Sequence, residues 1–424
     1  MSSVVKSGFS PEPFGLWLTM DRWADRDLTY SFPERGVFFT YQDPEIVDPL
    51  NEAQKQAARE VMAQIESFTQ LRLTEITETE TLTATFRFAR ETGLDGAYAY
   101  LPANDDSAGD GFFGRGTSSP QVGNEAYLFF LHEFGHALGL EHGHEFPEFA
   151  NSLLNSQEYT LMTYMDYIGD TAIDSIDSGL VDWAQSYMQL DIAALQFLYG
   201  ANYAKRGEVW SGKTVYRFDP DSGEMFINDV GQGVPAGNRI FRTIWDGDGR
   251  DTYDLRAYDT DLSVNLAPGS FSTFDSAQLA DLNRFQDDPA FLARGNVANA
   301  LLVDGDRRAL IENARGGSGN DEIIGNARGN FLTGSAGEDR LIGKGGADRL
   351  FGGDGKDVVR GETGHDQLSG GAGRDILRGG FGADEITGGA GADRRYGGPG
   401  KGAFLVCKVK KRIWSGGNRE NFGC

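Results

Sequence analysis

Cysteine is nearly absent from this 424-residue chain: Cys407 and Cys424 are the only two, both within the last eighteen residues, so disulfides are not expected to staple the body of the fold. No apolar run approaches the roughly eighteen residues a membrane span needs. The first thirty residues lack a charged segment followed by a long hydrophobic one, and the longest early apolar piece, 14–20, is short and broken. Neither a membrane span nor a cleavable N-terminal signal is therefore expected. Positive charge is also scarce. With 39 Lys and Arg against 63 Asp and Glu the net charge is −24, which argues against nucleic-acid binding and leaves two uses for the acidity: solubility, or carboxylates arranged to hold cations.

Histidine is rare too, but it is concentrated. Four of the five histidines fall between 132 and 144, in HEFGHALGLEH and the residues just after it. If 127–138 is helical, His132 and His136 lie one turn apart and project both imidazoles from one face, with Glu133 beside them in reach of a metal-bound water. Gly139 permits the positive φ that turns the chain back, so that His142 becomes a third ligand. Three neutral nitrogens on a tetrahedral zinc leave one position for water, the mark of a catalytic rather than a structural site. A buried amphipathic helix would not require three histidines, a glutamate and a glycine at these offsets. His144 reads as a neighbour of the site rather than a ligand.

Residues 51–68 read as a helix with Asn51 as N-cap, Gln54 three positions on, and an apolar stripe of Ala57, Ala58, Val61, Met62, Ile65 and Phe68. Over 82–88 the pattern changes to alternation, with Leu82, Ala84, Phe86 and Phe88 on one side, the pattern of a half-buried strand. A second strand is expected over 97–101, ahead of a Gly/Asp/Ser loop and the histidine helix, and another helix over 187–199 with Gly200 as its C-terminal cap.

Beyond about 205 short β-like runs take over, and from Gly316 the chain is periodic. Glycine recurs every nine residues from 316 to 388. Five positions after each come Asp321, Asn330, Asp339, Asp348, Asp357, Asp366, Asp375, Asp384 and Asp393, and two further on an apolar residue that first fails at Arg395. In each Gly-Gly-x-Gly-x-Asp-x-Leu-x unit the glycines turn tightly and expose carbonyls, Gly317 and Gly319 in the first. The aspartate offers a hard oxygen, and the apolar half forms a strand. Two units make one turn of a flattened parallel coil, so that aspartates eighteen residues apart share a calcium ion. A disordered linker would not hold an apolar residue in register over so many units. Calcium should fold the segment, with an affinity of ~10⁻⁴ to 10⁻³ M.

With both motifs in place the sequence resembles a known family. HEFGHALGLEH matches the extended zinc motif of the metzincins, and its union with calcium nonapeptides resembles the serralysin group of secreted bacterial metalloendopeptidases, from about LTYSF at Leu28 through IENARGGSGNDEIIGNA at Ile311. The resemblance implies an α+β metzincin-like catalytic domain followed by an all-β parallel roll of the RTX type. It divides the chain into a short propeptide (1–20), a catalytic domain (21–205), a β-rich lead-in with calcium sites (206–315), the roll (316–400) and an atypical basic tail (401–424). In LMTY, residues 161–164, it makes Met162 the floor beneath the zinc and Tyr164 a further zinc ligand that can swing to the reacting carbonyl oxygen. It adds Gly212, Thr214, Asp246, Gly249, Asp251 and Glu312 as calcium positions, although Asp248 stands where the family has glycine and Leu310 where it often has threonine.

The implied activity is peptide hydrolysis: zinc on His132, His136 and His142, Glu133 as general base and acid, and Tyr164 on the oxyanion. The edge of 97–101 is the candidate for pairing with extended substrate. Expected partners are protein or peptide substrates and a type I secretion apparatus, with a monomeric, extracellular protein as the product. The basic, cysteine-containing ending departs from the acidic, hydrophobic export signal of the family. The competing reading is a calcium-dependent adhesion or scaffold module with an inactive protease-like domain, which leaves Glu133 and the complete histidine set unexplained.

Overall fold

The computed structural model describes residues 3–6, 21–34, 39–42, 45–170, 177–203, 212–286, 288–399 and 403–404. Most of the expected propeptide (1–20) and of the basic tail, with Cys407 and Cys424, lies outside the described residues. Among the described residues no helix is long and apolar enough to cross a membrane.

Helix α1 (Glu52–Phe68) begins where the sequence says it should. Asn51 Oδ1 accepts from the Gln54 amide at 2.9 Å and Gln54 Oε1 accepts from the Asn51 amide at 3.0 Å, satisfying two N-terminal donors reciprocally. Its predicted stripe is buried throughout, and it packs against α2 (Glu125–Ala137), the histidine helix. A short α3 (Pro147–Ala150) follows, then α4 (Gln189–Tyr199), whose cap Gly200 has φ +84° and donates to the Gln196 carbonyl at 2.7 Å.

The N-terminal sheet runs in the order Arg72–Glu75, Asp27–Ser31, Phe86–Glu91, Gly111–Phe113, Ala97–Ala99, parallel until its last, antiparallel pair. The strand expected over 82–88 is corrected to Phe86–Glu91. Thr79 and Leu82 instead close a tight turn through mutual backbone hydrogen bonds, and Leu82 is half exposed. Phe86, Arg87, Phe88 and Ala89 are all buried, because this strand is central and covered on both faces. Arg87 tolerates burial by pairing with Asp110, Nε to Oδ1 at 2.9 Å and Nη2 to Oδ2 at 2.6 Å. The expected 97–101 strand is the shorter Ala97–Ala99, at the sheet edge.

Two sheets, parallel throughout the repeats, form the roll. A ten-stranded sheet includes Val215–Phe218, Thr252–Asp254 and Asn313–Arg315 before the repeat strands, and a six-stranded sheet begins with Ser263–Asn265. Both sheets thus start well ahead of Gly316. In the repeats partners are eighteen residues apart, Leu332 with Leu350 with Leu368 on one sheet and Leu341 with Val359 with Leu377 on the other. These side chains are 0–2% exposed and form one apolar column per sheet. The turns pack backbone on backbone: Gly353 has φ +123°, and a Cβ there would lie 2.0 Å from the Ser335 carbonyl oxygen. A single core continues from α1, α2 and α4 to Phe241, Trp245, Ala280, Leu282, Ala293 and Ala300.

Candidate metal centre and carboxylate edges

Three long-range side-chain hydrogen bonds hold helix α2 and its C-terminal cap in place. Tyr187 Oη donates to the Leu131 carbonyl at 2.8 Å, Trp23 Nε1 to Ala137 at 2.9 Å and Tyr199 Oη to Leu138 at 2.7 Å. At the end of the helix Gly139 takes φ +106°, the left-handed geometry its position requires, and returns the chain toward His142.

The three imidazoles converge. Nε2 of His132 lies 3.0 Å from Nε2 of His142 and 3.1 Å from that of His136, and the His136–His142 separation is 3.1 Å. Their Nδ1 atoms are each held from behind, by the Leu161 carbonyl at 2.9 Å, the Leu140 carbonyl at 2.7 Å and Glu145 Oε1 at 3.3 Å. With Nδ1 assigned the proton, all three Nε2 lone pairs point at one place. Burial, reinforced by the neighbouring rings, holds the His132 pKa well below its ordinary value and that of His136 at about 4, and burial lowers that of His142. All three are neutral at pH 7, as ligands must be.

Nitrogens bound to a tetrahedral zinc at ~2.0–2.1 Å stand about 3.3 Å apart, and the observed triangle fits this spacing to within a few tenths of an ångström. Glu133 sits beside it, 4% exposed, its Oε2 without a hydrogen-bond partner and its pKa pushed up to about 8 by burial, an effect the Ala99 amide partly offsets. Tyr164 is 44% exposed, its ring centroid 4.7 Å from His142 and 4.4 Å from His144. Met162 is fully buried, its carbonyl accepting from the Gly143 amide at 2.9 Å.

Sequence reasoning missed two residues here. A Cβ on Gly135 would lie 2.8 Å from Met162 Sδ, so the glycine inside HEFGH lets the methionine lie against the helix. Its presence in mid-helix was the available signal. Asp191, wholly buried, accepts from Thr160 Oγ1 at 2.6 Å, the Leu161 amide at 2.8 Å and the Met188 amide at 3.0 Å, tying the 160–164 loop to α4. Nothing in the sequence marks it.

In the roll the repeat aspartates stack in two rows, 321, 339, 357, 375 and 393 along one edge and 348, 366 and 384, with Asn330, along the other. Within a row each amide donates to Oδ1 of the residue eighteen positions on, as Asp339 does to Asp357 at 2.9 Å. Oδ2 of Asp339, Asp348, Asp357, Asp366, Asp375, Asp384 and Asp393 has no hydrogen-bond partner although buried. Rows of inward oxygens without donors are what a hard cation requires. Asp321 and Asn330 differ. Asp321 Oδ2 accepts from the Gly317 amide at 2.9 Å, and Asn330 spends its amide on the Glu312 carbonyl at 2.8 Å. Gly317 and Gly319 pack against backbone at Tyr258 and Thr260.

The lead-in residues also meet. Asp251 Oδ1 accepts from the Thr214 amide at 2.9 Å and the Asp251 amide donates to Glu312 Oε2 at 3.0 Å. The Arg250 amide donates to the Gly212 carbonyl at 3.1 Å, and Gly249 approaches that same oxygen closely. Asp246, Asp251 and Glu312 are at most 1% exposed; burial pushes all three carboxyls up, reinforced at Asp246 and Asp251 by the neighbouring acids and offset at Glu312 by Arg328 and Arg250. Asp246 accepts from Tyr216 Oη at 2.7 Å and Glu312 Oε1 lies 3.0 Å from Arg328 in an ion pair, while neither Asp251 Oδ2 nor Glu312 Oε1 has a hydrogen-bond partner.

Three histidines that could hold a metal ion, with an adjoining buried glutamate, thus stand on a mixed helix-and-strand region that leads into a carboxylate-edged roll. Comparison with known proteins narrows this. The RTX calcium-binding nonapeptide repeat family matches residues 315–350, 333–368 and 369–402. The chain is 31% identical over 251 residues to the metalloprotease AprA of Pseudomonas entomophila, covering 56% of this chain and 45% of that protein. It is 30% identical over 333 residues to serralysin of Photorhabdus laumondii (73% and 62%) and 29% identical over 333 residues to serralysin of Proteus mirabilis (72% and 60%). The chain is thus similar to serralysin-type metalloproteases and carries RTX calcium-binding nonapeptide repeats. It spans about half to three fifths of the length of these relatives.

Proposed function

We propose that this protein is a secreted zinc metalloendopeptidase that cleaves protein substrates and whose roll is stabilised by calcium. The observation that carries the reading is the convergence of three Nδ1-anchored imidazoles, with Nε2 atoms 3.0–3.1 Å apart, beside a buried glutamate. His132, His136 and His142 would hold the zinc, Tyr164, whose ring centroid stands 4.7 Å from that of His142, would join them, and the N-terminal part would then be a metzincin-like catalytic domain. Bound zinc supplies a Lewis acid and an acidified water at neutral pH. Glu133 takes the proton from the attacking water and returns it to the leaving amine. Tyr164, exposed at the rim, donates its hydroxyl to the oxyanion that develops on the substrate carbonyl. The Ala97–Ala99 edge offers backbone groups to an extended peptide, and the link between the Ala99 amide and Glu133 puts that edge next to the base.

The unpartnered carboxylate oxygens of the roll would take several calcium ions, with Asp246, Asp251, Glu312, Thr214, Gly212 and Gly249 forming a further site at its start. Export by a type I apparatus, as a monomer, into an environment rich in calcium fits such a roll. The test is casein hydrolysis by the purified protein in calcium. Activity should vanish on zinc chelation and return with zinc. Glu133→Ala should keep one zinc per chain and lose turnover, and Tyr164→Phe should lower kcat about 10²-fold. Full proteolysis by zinc-loaded Glu133→Ala would remove the base assignment.

A further inference from the structure

Away from the metal centre a cavity of about 500 Å³ opens between α1, the N-terminal end of α2 and the strands that begin the roll. Its lining includes the apolar side chains of Phe68, Ile192 and Ile244, yet it also contains a cation: Arg242, 7% exposed. Its Nη1 meets the thioether sulfur of Met225 at 2.9 Å, and its Nε has no hydrogen-bond partner. Two carboxylates line the same cavity, but both have other partners. Glu60 accepts from Gln56 at 2.9 Å and Glu66 from the Leu73 amide at 2.7 Å, and no described acid forms an ion pair with Arg242. Burial without a counter-ion pulls its pKa down to about 10. A guanidinium that lines a cavity with only a thioether sulfur as a recorded acceptor and one buried N–H without a partner is an incompletely satisfied cation, which an anion would complete. The guanidinium fork matches a carboxylate.

We propose that this cavity binds an amphipathic monocarboxylate, with its carboxylate on Arg242 and its apolar body along Phe68, Ile192 and Ile244. The volume lies within the range of small-molecule sites, about 300–1,000 Å³, and suits a medium-chain fatty acid or the carboxyl end of a short apolar peptide. Glu60 at the rim adds discrimination against dianions. The inference does not rest on the peptidase reading, since the cavity shares no residue with the metal centre.

The test uses the full chain in calcium and calorimetric titration with four probes: decanoate, decan-1-ol, N-acetyl-Leu-Phe, and its C-terminal amide. At least one acid should bind saturably and at least 10-fold more tightly than its uncharged counterpart, and the tighter of the two acids identifies the source. Arg242→Met should weaken that acid at least 10-fold and leave decan-1-ol unchanged, while Arg242→Lys, which keeps the charge but not the fork, should bind it with intermediate affinity. Absence of saturable binding, equal affinity for acid and uncharged probe, or an Arg242→Met protein that binds the acid normally would each overturn the proposal. The comparison of acid with uncharged probe on the unmodified chain decides the matter even if Arg242→Met does not fold.

Discussion

Leu350→Ala tests whether calcium and the apolar column stabilise the same folded state. Leu350 is fully buried between Leu332 and Leu368 on adjacent turns. Removing three carbons from a column that cannot collapse, because hydrogen-bonded strands fix its spacing, should cost about 3 kcal/mol. That cost is about two decades in the folding equilibrium constant. If folding of the roll is linked to calcium uptake, the loss is recovered only by raising the calcium concentration. The Hill slope of the folding transition multiplied by the shift in the logarithm of its midpoint should therefore be about 2. Far-ultraviolet circular dichroism during a calcium titration gives both quantities. Phe381→Ala, an outward position 64% exposed, is the control, and its product should stay under ~0.4. A product below ~0.5 for Leu350→Ala, or one equal to the control, would mean that the column contributes nothing to the calcium-bound state.

In the calcium-free roll burial, reinforced by like charges on adjacent turns, pushes Asp339 and Asp348 up to about 7 and Asp357 up to about 6, against an ordinary value of 3.8. The folded roll then holds more protons than the unfolded chain between about pH 4 and pH 7, so its stability without calcium falls as pH rises through that window. Calcium needs the ionised carboxylates and should reverse the trend, and thermal melts in chelator and in calcium at pH 4.5 and 8 would reveal both slopes. Asp191→Ala removes the acceptor of three buried donors and should cost about 3 kcal/mol in denaturant melts. Because those donors hold the 160–164 loop, hydrolysis by the folded variant should fall while zinc content stays at one per chain. Normal activity would show that the loop is held by something other than Asp191.

The capping box at Asn51 and Gln54, the stripe of α1, the turn at Gly139 and the eighteen-residue pairing of the repeats were all legible, because each depends on neighbours close in sequence or on a strict period. The strand at 82–88 was misplaced for the opposite reason. Alternation assumes one wet face, and the first four residues of Phe86–Glu91 have none: Arg87 is buried because Asp110, twenty-three residues away, neutralises it. Gly135 was visible as a glycine but not as the seat of Met162, and Asp191 gave no signal at all. Likewise the repeat pattern treats Asp321 and Asn330 like the other members of their rows, whereas Gly317 and Glu312 engage them in hydrogen bonds.

The sequence by itself determined which side chains are available as metal ligands under the proposed reading: three imidazoles at fixed helical and turn offsets, and eight aspartates and one asparagine at nine-residue intervals. Tertiary structure decided their state. The Leu161 and Leu140 carbonyls and Glu145 orient the rings, burial keeps them neutral, and stacking of successive turns leaves one oxygen of each later aspartate without a donor. Arg242 shows the same division, since only the surrounding packing makes it a buried cation beside a cavity. The physical reason is that ligand identity and spacing are local properties of the chain, whereas desolvation and hydrogen-bond partners are set by segments far apart in sequence.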